Sequence, residues 1–231
     1  MKNILARGGI EFIAVLLGIT LSLWVDENRV TKNANKEFQA DLLAIYNELT
    51  DDLKVIDEAM SFNQEMIVKM DHLLLVMENS KIDVNAVDTI PIFNTSMENR
   101  SFFGKKTAYL SSKASGRLNR NSSNPLTQEI TRLYDQTYTR MEVNNALVDR
   151  MMFDDDKSKI YSGHITRNFI YDRQSFYESV NSAEFYNWGS NIKGLLLHLI
   201  DIMTVTKNHI IKVESRLKEE LLSLSLLENN E

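Results

Sequence analysis

The sequence predicts an all-α protein: one N-terminal transmembrane helix continuing into a long heptad helix, within an elongated antiparallel helical bundle or coiled coil. Three observations carry this. Two prolines and eight glycines in 231 residues leave few breaks for helices and few turns for a β fold. Apolar residues recur at steps of three and four over several long stretches. The run from Gly8 to Val25 holds about 18 residues with one charge, near the minimum for a helix that spans a bilayer.

The expected organisation is a short cytoplasmic leader over residues 1–7, a transmembrane helix over 8–25 and an exported helical bundle over 26–231. A cleaved signal peptide would have a shorter apolar region followed by a small-x-small site. Leu23, Trp24, Val25 and Asp26 follow instead, which reads as an uncleaved signal anchor with Trp24 at the headgroup level. Lys2 and Arg7 flank the run on one side, and Arg29, Lys32 and Lys36 on the other. The orientation therefore rests on the short basic leader: N-terminus in the cytoplasm, main domain in the periplasm, anchor in a bacterial inner membrane. Glu11 lies inside the run and reads two ways. About one turn from the boundary, it can snorkel to the headgroups. It also shares a helical face with Ala14, Gly18 and Ser22. Small residues at that spacing let two membrane helices approach closely, with a polar group bonding across them. These four form a candidate membrane helix–helix interface, with another membrane protein or by self-association.

Beyond the span, the polar stretch DENRVTKNANK contains no breaker and continues the helix. The long helix expected over about 36–79 carries a stripe of Phe38, Leu42, Ile45, Leu49, Leu53, Ile56, Met60, Asn63, Ile67, Met70, Leu74 and Met77. It is a strict heptad from Leu53 onward, with a stutter at Ile45-Leu49-Leu53. Asn63 either fixes register from within the stripe or turns outward while Phe62 packs. Residues 80–104 lose the period and contain Pro91, so they read as a connection. A short helix follows over Thr107–Ala114, with Gly116 as a left-handed cap. Asn124-Pro125 is a helix start, with an N-cap and then proline at the first position. The second long helix, about 125–160, places Leu126, Ile130, Leu133, Thr137, Met141, Asn144, Val148 and Met151 on one face. Aromatics from Phe169 to Trp188 plug one end of the bundle or, alternatively, line a pocket. The last long helix, about 191–227, has its stripe at Ile192, Leu196, Leu199, Met203, Thr206, Ile210, Val213, Leu217, Leu221 and Leu224. His198 and Asp201 interrupt its most apolar patch, so the chain crosses the membrane once.

Two segments resemble an uncharacterised, domain-of-unknown-function family of bacterial proteins with an N-terminal anchor and a helical exported domain. In the membrane run, Glu11, Gly18-Ile19 and Leu23 match, with Ser22 where alanine is usual. In TAYLSSKASGRLNRNSSNPLTQEITRLYDQTY the match rests on Thr107, Tyr109, Ser115, Gly116, Leu118, Leu126, Ile130, Leu133 and Tyr134. The final heptad helix is similar in placement. The basic leader is shorter than is usual in the family, and Trp24 sits about a turn earlier. The resemblance implies an anchored helical fold and no activity.

The chemistry of the sequence points away from catalysis. No cysteine is present, which excludes disulfides, thiolate catalysis and zinc–thiolate sites. A net charge of −6 argues against nucleic-acid binding. No Glu-x-x-His of a di-metal bundle, phosphate loop, dinucleotide fingerprint or nucleophile motif occurs, and DDDKSK at Asp154 lacks the glycine and terminal glutamate of a calcium loop. No catalytic, cofactor or metal residues are therefore expected. One charge feature stands out: Arg100, Lys105, Lys106, Lys113, Arg117 and Arg120 fall between Glu98 and Glu129 with no acidic residue among them. They form either a cap that neutralises acidic neighbours or a docking patch for an anionic envelope partner. The expected role is a non-enzymatic structural or interaction protein, a subunit or scaffold of an envelope complex. The alternative is a sensory ligand-binding bundle signalling through a membrane partner.

Overall fold

The computed structural model describes residues 2–83, 90, 92, 98–153 and 173–227, the side chains of 2–14, 153 and 173–175 excepted. Among the described residues the elements are all helical: α1 (Lys2–Asn79), α2 (Thr107–Ala114), α3 (Arg117–Arg120), α4 (Pro125–Arg132), a π-helical segment (Leu133–Tyr138), α5 (Thr139–Phe153), α6 (Arg173–Val180) and α7 (Ala183–Ser223).

With no proline or glycine after Gly18, α1 runs unbroken for 78 residues, about 117 Å at 1.5 Å per residue. Its second half is one rail of the bundle, and α7 is the other. The two run antiparallel. Lys193 pairs with Asp71, Lys207 with Asp57 at 2.6 Å, and Gly189 sits against Met70 and Leu74. A Cβ at Gly189 would lie 3.3 Å from the Met70 sulfur, so glycine here lets the rails approach closely. Along α7 every expected stripe residue from Ile192 to Leu221 is buried.

In α1 the seam differs from the expected one. Leu42, Ile45, Leu49, Asp52, Ile56, Ala59, Asn63, Met66, Met70 and Leu73 are buried in an unbroken heptad alternation, and Ile67 and Leu74 of the expected stripe are buried beside it. No stutter exists. Leu53 and Met60, expected in the stripe, flank it half-buried, while Asp52 and Ala59 hold the seam. Reading along the most apolar residues shifts the stripe by one place here, because an aspartate takes a core position.

Asn124 caps α4 as expected: its side chain accepts from the Leu126 N–H at 2.8 Å, and Pro125 begins the helix. Gly116 adopts φ +74 after α2, the left-handed turn that lets α3 start. From Pro125 the chain is helical to Phe153, and the expected extension to about 160 lies outside the described residues. The π-helical turn within it inserts one extra residue per turn relative to α geometry. The inward face therefore turns: Met141 and Val148 stay buried as expected, while Tyr138, Asn145 and Met152 replace the expected Thr137, Asn144 and Met151.

The last helix begins earlier than expected. Ser182 caps it, accepting from the Phe185 N–H at 3.1 Å. Phe185 and Trp188 are thus in its first turns, stacked at 5.4 Å and buried, with Phe176 and Val180 of α6 also in the core. Phe169, Tyr171, Pro91 and the Asp154 acidic run lie outside the described residues.

The first part of α1 has no such neighbours. From Val15 to Glu37 every residue except Ala34 is exposed. Among the described residues no helix is long and apolar enough to cross a membrane. The side chains of 8–14, the first part of the expected span, are outside that description.

Candidate interaction site

The basic segment is an extended strap, residues 98–106, followed by α2 and α3, laid against α1, the π segment and α5. Its charges meet acids of those elements. Lys105 pairs with Asp51 at 2.8 Å, Lys106 with Glu142 at 2.7 Å and Lys113 with Asp135 at 2.7 Å. The Arg117 guanidinium grips Asp41 through Nε at 2.6 Å and Nη2 at 3.0 Å, and reaches Glu37 at 3.5 Å. Hydrogen bonds to these carboxylates raise the pKa values of Lys105, Lys113 and Arg117. Burial pushes Asp135 up, but hydrogen bonds from Lys113 and Tyr109 outweigh it and hold the carboxyl below its usual value. Arg100 lies 4.5 Å over the Phe62 ring as a cation–π pair. Arg120 is exposed. The six residues thus sit along one side of the bundle, and four of them are matched by carboxylates on other elements.

Beneath the strap runs a seam of buried polar side chains that read its backbone. Asn63 Nδ2 donates to the Arg100 carbonyl at 2.8 Å, and its Oδ1 accepts from the Arg100 N–H at 2.9 Å. Asn145 donates to the Phe102 carbonyl at 2.7 Å. Asp52 accepts the Lys105 N–H through both oxygens at 3.1 Å and the Tyr138 hydroxyl at 2.7 Å. Glu48 accepts the Ala108 N–H at 3.1 Å, capping the first turn of α2, whose own N-cap residue offers no side-chain bond. Of the two readings of Asn63, the inward one holds.

The π segment serves this seam. It brings Tyr134 and Tyr138 inward together, Tyr134 stacked on Tyr109 at 4.4 Å and set edge-on to Tyr138 at 5.1 Å. Gly104 passes so near the Tyr138 ring that a Cβ there would lie 2.1 Å from it. Burial raises the Asp52 carboxyl, against the lowering effect of its bonds to Tyr138 and Lys105. Burial likewise pushes Tyr138 and Tyr134 well above the ordinary tyrosine value, helped in Tyr138 by the Asp52 charge and in Tyr134 by the Glu48 charge. Tyr138 is a hydrogen-bond donor, to Asp52, whereas the buried Tyr134 hydroxyl meets no partner among the described residues. The seam is closed over by the strap, and its chemistry is that of a clamp.

Glu48, Asp52 and Asn145 were not legible as functional residues. Asp52 interrupts the apolar reading of its own stripe, and Asn145 enters the core only through the π turn. His198 is exposed, with Nε2 3.0 Å from Asn144 Oδ1. Among the described residues no group of three or more His, Asp or Glu could hold a metal ion. On the N-terminal stripe, Gly18 and Ser22 are exposed, and a Cβ at Gly18 would meet nothing within 4 Å. The side chains of Glu11 and Ala14 lie outside the described residues.

A model of a family of unknown function, DUF6090, matches residues 11–187. The match takes in the apolar part of α1, the strap, the π segment and the start of α7. No curated protein and no solved structure matches this sequence.

Proposed function

The chain belongs to this family of unknown function, and from its own residues we propose a membrane-anchored, non-enzymatic interaction protein, a subunit or scaffold of a bacterial envelope complex. One observation carries the reading. Val15, Leu16, Leu17, Ile19, Leu21, Leu23, Trp24 and Val25 are each more than half exposed, and at 100° per residue they surround the helix rather than line one face. A helix apolar all round is stable only where something apolar encloses it, and among the described residues no element of the bundle does. These residues cover about 16 Å, and the sequence extends the apolar run to Gly8, about 27 Å in all, close to the hydrocarbon core of a bilayer. The polar stretch 26–37 then acts as a stalk, and the bundle is the exported part that meets a partner. The seam beneath the strap supports a binding role over catalysis, since both its carboxylates are occupied by backbone N–H groups and that of Asp52 is buried.

The test is extraction of membranes with alkaline carbonate. The full chain should remain in the pellet, and Leu17→Lys with Leu21→Lys should release it. Added protease should digest the bundle from the periplasmic side only. Full release of the unmutated chain by carbonate overturns the anchor. A stoichiometric partner set co-purifying in mild detergent is expected of a scaffold, and a bundle that purifies alone with a bound small molecule is not.

A further inference from the structure

The strap carries two adjacent phenylalanines with opposite fates. Phe102 is fully buried and its carbonyl is held by Asn145, whereas Phe103 is 60% exposed. Bonds from Asn63, Asn145 and Asp52 fix the backbone on both sides of it, and Gly104 is wedged against Tyr138. Phe103 therefore stands on a rigid support. It edges a groove of about 690 Å³ whose walls also include Val55, Glu58, Glu98 and Asp149. The charge here is opposite to that expected from the strap's sequence. Glu58 and Glu98 are exposed and join no ion pair among the described residues. Among the described residues Asp149 accepts only from neutral donors, Asn99 Nδ2 at 2.9 Å and Ser101 Oγ at 3.3 Å. Arg100, the one basic residue that lines the groove, is turned onto the Phe62 ring at 4.5 Å. The strap's lysines and Arg117 are meanwhile spent on internal carboxylates.

An exposed aromatic on a preorganised backbone, with an aliphatic neighbour and a predominantly acidic rim, is the makeup of a protein-binding hot spot. We propose that this groove docks a cationic amphipathic helix of another protein. Its aliphatic side chains cover Phe103 and Val55, and its lysines or arginines reach Glu58, Glu98 and Asp149. The basic stretch Arg29–Lys36 of a second copy does not fit: it lies about 30–40 Å down α1 from Val55, and copies anchored side by side keep that offset.

This inference rests on the interaction-protein reading and is tested with the full chain in nonionic detergent. The probe is a labelled amphipathic model helix of lysine and leucine, with a glutamate–leucine helix as control. The lysine peptide should bind with salt-sensitive affinity, and hydrogen exchange should be protected at 55–62 and 98–103. Phe103→Ser, and Glu58→Gln with Glu98→Gln, should each weaken binding about tenfold. Glu219→Gln, an exposed acid on α7, should leave it unchanged. Glu58→Gln alone keeps the test decisive should Phe103→Ser lose helicity. Equal binding by all variants, equal binding of the acidic helix, or protection elsewhere overturns the inference. A chain that stays in carbonate-washed membranes yet shows no groove binding sinks this inference alone and leaves the anchor standing.

Discussion

Asp52 occupies a seam position where a heptad calls for an aliphatic side chain, and its burial is tolerable only because two donors, the Lys105 N–H and the Tyr138 hydroxyl, meet it. The physical consequence is a pH dependence of unusual sign for a carboxylate. Burial raises its folded-state pKa above the ordinary 3.8, so the folded chain binds a proton where the unfolded chain has released it. Stability from this group is therefore present at low pH and falls as pH rises through the window just above 3.8. Urea midpoints measured from about pH 4 upward should fall more steeply in the wild type than in Asp52→Asn. Parallel curves would remove Asp52 as the cause. Asn63 makes the complementary case. Leucine is the better seam residue by packing, but it would leave the Arg100 N–H and carbonyl without their partner. Asn63→Leu should lower stability by about 2 kcal/mol, the cost of orphaned backbone groups outweighing the gained apolar area. An unchanged or raised urea midpoint would mean that Asn63 does not hold the strap.

At the scale of elements, the rails were legible because long amphipathic helices announce themselves by period, and α7 follows its stripe from Ile192 to Leu221. The strap's clamp was not. Its hydrogen bonds run from side chains to backbone, so the partner sequence carries no trace of them, and the clamping residues are polar groups in places that an apolar template skips. The basic run illustrates the same limit: its composition is visible, but the carboxylates that answer it lie on other helices, Asp51 more than fifty residues from Lys105. The π segment hid the rest, shifting the inward face by one. That reading has a sharp test. Deleting the exposed Gln136 would restore plain α spacing while keeping Tyr138, Met141, Asn145, Val148 and Met152 inward. Deleting Glu142 from α5 would instead turn Asn145, Val148 and Met152 off the core. The Gln136 deletion should melt cooperatively near the wild-type temperature, whereas the Glu142 deletion should lose several kcal/mol, at roughly 1.5–3 kcal/mol for each large apolar side chain exposed. The opposite ranking would refute the register assigned to α5.

At the scale of the whole molecule, the second half of α1 packs into the bundle while the residues from Val15 to Val25 stand exposed, and Gly18 lies among the latter. Among the described residues a Cβ at 18 meets nothing within 4 Å, so Gly18→Leu has room and gains about 0.5–1 kcal/mol of helix propensity. The isolated chain should be as stable as the wild type or slightly more so. A second membrane helix against the face of Ala14, Gly18 and Ser22 changes the outcome, because leucine would hold the two backbones apart. Detergent-resistant assembly should then be lost in Gly18→Leu with the bundle intact. Glu11→Ala should weaken assembly only in part, since a polar bond across membrane helices is worth about 1–2 kcal/mol. The pair of mutants separates the two readings of Glu11. A carboxylate that snorkels to the headgroups leaves assembly at the wild-type level in both, and the stripe then faces lipid. A carboxylate on a packed face yields a graded loss, larger for the glycine than for the glutamate, with the urea midpoint of the bundle unmoved.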